Sequence, residues 1–291
     1  MTLRTEEKLQ ELELLYNQGL TDRQMVTLLS ASNPTIGRWR RQLGLPRHPP
    51  SPTNSIYQIN EDFFQNIDME SKAYWLGFIY ADGNIHDDNE YTKCAPSWKF
   101  SLGVQWRDAD HMESFLRAIE STHPLNKKDP GNSNRQPFAY VSIYRQRFAK
   151  HLISHGVIPR KTDKLQFPQM PSSLIPHFIR GVLDGDGCIF SSTYNCVKQG
   201  IRNNYKVLFY SSAKSFLVSI AQHLHYICDV PVQTIALGTR CYRLGYHGRL
   251  QVLKIIHVLY DNAHIFLPRK YNLAQSIFET EPGWQLPLLE L

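Results

Sequence analysis

Two stretches of the chain are apolar on nearly every side and then stop abruptly. "AYWLGFIYADG" runs from Ala73 to Gly83 and "FIRGVLDGDG" from Phe178 to Gly187. Their length and all-round apolarity predict buried helices, each ended by an acid and a glycine. After the first comes "KFSLGVQWR", where Phe100, Leu102, Val104 and Trp106 alternate with Lys99, Ser101, Gln105 and Arg107. Period-two alternation predicts a half-buried strand. A helix is predicted over "ADHMESFLRAIE". A strand follows in "FAYVSIYR", with Ala139, Val141 and Ile143 on one face and Tyr140, Ser142 and Tyr144 on the other. The helix "RQRFAKHLISHG" and the segment "GVIPRK" close this half. The second apolar helix opens the same order again. Strands are predicted near "CIFSSTY" and "NYKVLFY", a helix over Lys214 to Cys228, and short strands in "VQTIAL" and "RCYRLGYH". A helix from Arg249 to Tyr260 and the segment "IFLPRK" end it. Asp186 follows Asp82 by 104 residues (186 − 82), and Pro-Arg-Lys closes each half. Two copies of one helix–strands–helix–strands–helix unit imply a pseudo-twofold domain.

Residues before about 46 carry a different pattern. Leu9, Leu12, Leu14, Leu15 and Tyr16 suit an amphipathic helix ended by Gly19. Thr21 is placed to cap "DRQMVTLLS". Asn33 is expected to cap a third helix, with Pro34 in its first turn. That helix holds Arg38, Arg40 and Arg41, with Arg47 just beyond, and no acid. Helix, short turn and basic helix resemble the helix-turn-helix family, in which the later helix enters the major groove. A plain three-helix bundle with a solvated basic face, or a protein-binding module, fits the same pattern. "PRHPPSPTNS" then reads as a semi-stiff linker. The expected organisation is 1–46 for the helical module, 47–56 for the linker, and 57–165 and 166–291 for the two halves.

The two opening helices carry small residues four apart, Gly77 and Ala81 in one, Gly181 and Gly185 in the other. Residues so spaced share a helix face, and small ones let two backbones approach closely. Trp75, Leu76, Phe78, Ile79, Ile179, Val182 and Leu183 around them are expected to be buried. If the helices pair about the pseudo-twofold, their C-terminal ends meet, with Gly83 and Gly187 taking the left-handed turn that stops a helix. Asp82 and Asp186 then sit at a cost. A helix C-terminus already carries partial negative charge, and two carboxylates brought together repel. A divalent cation offsets both effects, and oxygen ligands suit magnesium. Metal-bound carboxylates beside basic residues fit phosphodiester hydrolysis.

"WLGFIYADG" and "IRGVLDGDG" resemble the paired signature of the LAGLIDADG homing endonucleases, and "FLPRKYNLA" resembles the ending of a half-domain in that family. The resemblance covers roughly residues 70 to 278. It implies an α+β fold, two αββαββα halves whose antiparallel sheets form a saddle on double-stranded DNA. It places metal at Asp82 and Asp186, with Ala81 and Gly185 counted in the metal site, and the active-site lysines at Lys161 and Lys270. A polar residue that orders water falls loosely on Asp108 and Ser212. The outward strand positions would form the DNA face, namely Lys99, Ser101, Gln105, Arg107, Tyr140, Ser142 and Tyr144, then Ser192, Tyr194, Arg202, Asn204 and Lys206, with Arg38, Arg40 and Arg41 from the N-terminal module. A solvated sheet face is the rival for each. Asp87, Asp88 and Glu90 suit DNA poorly.

Composition narrows the rest. The 291 residues carry a net charge of +6 with 42% hydrophobic residues, compatible with a soluble globular protein and a polyanionic partner. No apolar run approaches a membrane span, and the first residues lack a signal-peptide core. Five cysteines without CxxC spacing read as reduced thiols. A cytoplasmic monomer, bacterial, phage-encoded or organellar, is expected. The expected function is a site-specific, Mg2+-dependent (or other divalent-cation-dependent) DNA endonuclease with a long asymmetric target. A DNA-binding regulator without cleavage, an RNA-splicing maturase gripping intron RNA, and a basic scaffold remain as alternatives.

Overall fold

A computed structural model describes residues 3–46, 57–87, 98–131, 136–196 and 200–281. The expected linker, Arg47, Asp88 and Glu90 lie outside these. The chain divides into two compact units, residues 1–56 and 57–291.

The first unit is three helices, α1 (Leu3–Asn17), α2 (Asp22–Leu28) and α3 (Asn33–Gln42). Leu12, Met25, Leu29 and Ile36 form its core. Thr21 caps α2 as expected, its N–H and its hydroxyl both bonded to the Gln24 side-chain oxygen at 2.9 and 2.8 Å. The cap of α3 is Ser32 rather than Asn33, and Ser32 Oγ lies 2.8 Å from Thr35 Oγ1. The turn before it contains Ser30 in the left-handed region. Leu14 is exposed while Leu9 and Leu12 are buried.

The second unit holds two halves in the same order. The first is α4 (Glu70–Asp82), β1 (Asn84–Asp87), β2 (Trp98–Gln105), α5 (Ala109–Ala118), β3 (Asn126–Lys128), β4 (Phe138–Ile143) and α6 (Gln146–Ser154). The second is α7 (Ile175–Asp186), β5 (Cys188–Cys196), β6 (Gly200–Ser211), α8 (Lys214–Cys228), β7 (Ala236–Leu237), β8 (Tyr242–His247) and α9 (Arg249–Tyr260), followed by α10 (Pro268–Glu279). Each half forms an antiparallel four-stranded sheet, ordered β1-β2-β4-β3 and β5-β6-β8-β7. The fold is therefore α+β, two αββαββα units.

Alternation decides which face each sheet buries. Phe100, Leu102, Val104, Ala139, Val141 and Ile143 pack inward with Phe115 of α5 and Phe148 of α6. Trp106 does not continue that row. The strand ends at Gln105, a 3-10 turn takes Trp106 to Asp108, and the indole is 40% exposed. Edge strand β3 carries no apolar alternation, only Asn-Lys-Lys, and pattern alone does not reveal it. Helix α10 also exceeds expectation, with Pro268 in its first turn.

Helices α4 and α7 pair at the seam, and glycine sets their distance. A Cβ on Gly77 would stand 2.1 Å from the Phe178 carbonyl oxygen, and one on Gly181 2.1 Å from that of Tyr74. One on Gly185 would stand 2.3 Å from the Ala81 Cβ. The seven apolar residues expected around this contact are all buried. The helix stops differ from expectation. Gly83 and Gly187 have φ of −81° and −85° with extended ψ, because the chain runs straight from helix into β1 and β5. Glycine is still required at both, since a Cβ would meet the Ile79 or Leu183 carbonyl oxygen at 2.7 or 2.6 Å.

Gly181→Ala is expected to destabilise the second unit by about 3 kcal/mol or to prevent folding, as overpacking against backbone cannot be relieved by a rotamer change. Gly131→Ala, where nothing lies within 4 Å, is the control for loss of a positive-φ glycine alone. Denaturant unfolding of both variants checks the difference.

Candidate active site and nucleic-acid interface

The paired helices bring Asp82 and Asp186 to adjoining helix ends. A Cβ built on Gly185 would lie 3.2 Å from Asp82 Oδ2, so the Asp82 carboxylate leans against the other helix. Both acids stay open to solvent on one side. Burial by the surrounding protein, then the charge of Asp186, pushes the Asp82 carboxyl up to about 7, against the pull of Lys270, Lys161 and Arg269. Burial also raises Asp186, against Lys161 and then Lys270.

The two lysines explain how these helix ends are tolerated. Lys161 lies in a 3-10 turn after α6, Lys270 in the first turn of α10, and both are buried. Lys161 Nζ donates to the carbonyls of Ile79, at 3.0 Å, and Tyr80. Lys270 Nζ donates to Leu183, Asp184 and Gly187 at 2.6, 2.8 and 2.7 Å, with Gly185 at 3.4 Å. Ile79 and Tyr80 are the pseudo-twofold equivalents of Leu183 and Asp184. Each ammonium thus caps the C-terminus of the motif helix in its own half, the position the helix dipole favours for a cation. Burial pulls both ammoniums down to about 8, and neighbouring acids oppose it. Lys270's three N–H groups are taken by three carbonyls. Lys161 keeps one N–H beyond its two carbonyls and lines the crevice of Asp186.

Two crevices serve the two acids. That of Asp186 measures about 430 Å³ and includes Lys161, Asn84, Tyr210 and Ser212. One of about 180 Å³ beside Asp82 includes Asp108, Gln105, Gly103 and Arg269. A third, of about 320 Å³, runs from Asp82 onto the outer face of the first sheet, past Lys99, Ser101, Lys128, Tyr140 and Ser142. Asp108 and Ser212 therefore lie beside Asp82 and Asp186 respectively. Asp108 is held by Arg269, whose Nε lies 3.1 and 3.0 Å from its two oxygens.

Strand register shows which of the residues expected at a nucleic-acid face lie on one side of each sheet. Directly paired residues share a face. Ser101 pairs with Ser142, and Gly103 with Tyr140. Lys99 and Gln105 lie on the same side by alternation, and Tyr144 follows just past β4, with the Lys99 ammonium 5.6 Å from its ring centre. Arg107 is exposed in the 3-10 turn rather than on the strand. In the second sheet Ser192 pairs with Asn204, Tyr194 with Arg202 and Phe190 with Lys206, which puts all five expected residues on one face. That face continues through Tyr210 to Asp186. Lys128, His86, Arg243 and His247 share these faces by pairing. Alternation along β8 reveals the last two; nothing in the pattern reveals Lys128 on β3.

In the first unit, Arg38 and Arg41 are exposed, but Arg40 is not available to a partner. Arg40 is buried, its Nε 3.0 Å from Asp22 Oδ1 and its Nη1 2.7 Å from the Leu45 carbonyl. It ties α3 to α2 and to the following loop. Helical periodicity places it on the core side with Ile36, four residues before.

A buried polar network beneath the site was not visible in the pattern. Asp184 accepts from the Tyr74 hydroxyl at 2.8 Å, the Tyr260 hydroxyl at 2.6 Å and the Leu267 N–H at 2.7 Å. Since Tyr74 donates to Asp184, it accepts from His111 Nε2–H at 2.8 Å. Burial, with the charge of Arg269, holds His111 neutral, its pKa pulled down to about 3. Arg180 donates to Ile265, Leu259 and Glu70, stitching α7 to the start of α4.

The donors at the helix ends are all oxygen. Among the described residues, no three His, Cys, Asp or Glu side chains converge into a full cage. Two open carboxylates fit a cation that keeps several waters and takes phosphate oxygens, as magnesium does.

No family model matches the chain, and no curated protein matches it. The solved structures it is similar to are LAGLIDADG homing endonucleases, the family its two motifs resemble. The I-LtrWI homing endonuclease bound to target DNA is 11% identical, covering 76% of this chain and 92% of its own, with a TM-score of 0.49. The I-CpaMI meganuclease bound to uncleaved DNA is 11% identical over 71% and 89%, at 0.49. I-SmaMI bound to uncleaved DNA with calcium ions is 13% identical over 71% and 89%, at 0.46.

Because ionising Asp82 is disfavoured in the fold, the folded protein holds a proton that the unfolded chain releases between about pH 4 and 7. Stability of the metal-free protein therefore falls as pH rises through that window. Asp82→Asn is expected to melt higher than the parent at pH 8 in EDTA, with the advantage shrinking toward pH 4. Thermal melts across pH check the crossover.

Proposed function

We propose that this chain is a site-specific DNA endonuclease that makes a divalent-metal-dependent break in both strands of a long asymmetric target. The observation that carries the reading is the twinning of one arrangement. Each half ends its seam helix on an open carboxylate, and each carboxylate lies at the foot of its own polar, cationic sheet face. A solvated scaffold has no need of two acids at adjoining helix ends.

Asp82 and Asp186 would hold the cation, with the backbone at Ala81 and Gly185 beside them. Bound there, it supplies an activated water and stabilises the leaving oxygen of the phosphodiester. The chain's own groups do the rest. Lys161 and Lys270 offset the negative charge of the helix ends and keep both acids usable. Ser212 and Asn84 line the larger crevice and can orient water. Lys99, Lys128, Arg202, Lys206 and Arg243 neutralise backbone phosphates, while Ser101, Tyr140, Ser142, Ser192 and Asn204 can meet base edges. The two sheets differ in sequence, so the target is asymmetric. A single chain supplies both halves, so a monomer suffices. The N-terminal unit adds a second DNA contact through Arg38 and Arg41 on α3.

Incubation with supercoiled plasmid carrying the uninterrupted version of the gene's own locus tests this reading. Magnesium should yield a linear product that EDTA prevents. Asp82→Asn and Asp186→Asn should each lose it while still shifting the DNA in a gel. Retained double-strand cutting by both variants would overturn the assignment. In the N-terminal unit, Arg38→Ala and Arg41→Ala should weaken DNA binding with the fold intact. Arg40→Ala should instead destabilise the unit by about 2 kcal/mol, because it removes the buried ties from α3 to Asp22 and to the Leu45 carbonyl.

A further inference from the structure

Resting on that reading, we propose that Arg269, held in place by Asp108, is the phosphate-contacting cation of the Asp82 centre. The two strands would then be cut by unequal sets of groups.

The seam is a pseudo-twofold, yet its two centres are not copies. Asp82 and Asp186 match, and so do the two lysine caps. The groups that face the crevices do not. The Asp186 crevice is lined by Lys161 and Ser212, a cation with one uncommitted N–H and a neutral hydroxyl. The smaller Asp82 crevice is lined by Arg269 and Asp108. Lys270 has no free hydrogen to offer there, since three carbonyls take all three. The cation at that crevice is the residue before it. Arg269 is contributed by the second half and Asp108 by the first, so the pair bridges the seam.

Arg269 has the geometry of a positioned anion ligand. Its Nε alone grips Asp108, whose side chain is only 10% exposed, while 40% of the arginine side chain remains open. The terminal nitrogens, which make no hydrogen bond to Asp108, form the fork that can bind two phosphate oxygens at once. Asp108 does not touch substrate on this reading. It fixes the guanidinium plane, and Arg269 in return removes a charge that would repel a phosphate beside Asp82. The counterpart of Asp108 is Ser212, which cannot hold an arginine this way. The difference lies in the sequence of the two halves, and it predicts a strand-specific dependence.

The test uses the full chain and two measurements. Single-turnover cleavage of a duplex target with each strand labelled separately reads the two cuts. Asp108→Asn and Arg269→Gln should slow one and the same strand roughly tenfold or more. Ser212→Ala should spare that strand and slow the other. Nicked duplex should then accumulate in the first two variants. Independently, binding to duplex DNA in EDTA across salt concentrations should show a slope shallower by about one for Arg269→Gln, as expected for a lost phosphate contact. Equal slowing of both strands, or an unchanged salt slope, would overturn the proposal. A parent protein that cuts neither strand would defeat the endonuclease reading instead, and the salt slope would still decide whether Arg269 meets phosphate.

Discussion

The contact between the backbones of α4 and α7 governs the rest of this structure. Gly77 and Gly181 lie against carbonyl oxygens of the opposite helix at distances no side chain permits. That approach places two helix C-termini side by side and fixes where the two sheets hang. It also gathers partial negative charge at one point, onto which the chain adds two aspartates. Burial, then the charge of Asp186, pushes the Asp82 carboxyl up to about 7, so the fold disfavours the charge it places there. A cation placed there would relieve both the dipoles and the acids.

The protein meets part of that demand itself. Lys161 and Lys270 enter from segments that close the two halves and spend their hydrogens on the last carbonyls of the seam helices. Their role joins stability to chemistry, since the same ammonium that ends the helix also sets the field at the carboxylate. Removing one would leave buried carbonyls without donors as well as change the site. Activity loss in a lysine variant would not by itself show contact with substrate.

Below the acids, the seam is tied by polar groups rather than apolar packing alone. Asp184 joins α4, α7, α9 and the entry to α10 through Tyr74, Tyr260 and the Leu267 N–H. Arg180 joins α7 to Glu70 and to two carbonyls near α9 and α10. A buried carboxylate and a buried guanidinium are costly alone, but here Asp184 accepts three hydrogen bonds and Arg180 donates three. Such directional bonds set the rotation of one half against the other, which apolar contacts leave loose. The separation of the two seam carboxylates depends on that rotation.

Much of the architecture was legible in the residues alone. The alternation at Lys99–Gln105 and Ala139–Tyr144 reports its own buried face, because strand periodicity and burial are local to a few residues. The small residues four apart and the twin Asp-Gly stops announced the helix pair for the same reason. Arg40 shows the limit. Basic composition suggested a DNA contact, and only the packed helix shows its guanidinium turned onto Asp22. The ions at Lys161, Lys270, Arg269 and Asp184 are long-range facts, each joining segments roughly 80 to 160 residues apart by hydrogen bonds that no periodicity encodes. What the sequence determined by itself was the two-halved α+β plan and the pair of acids at its seam, since helix period and glycine spacing are written in neighbouring residues. What the tertiary structure decided was which cation faces which crevice, because that depends on how distant loops are carried onto the helix ends.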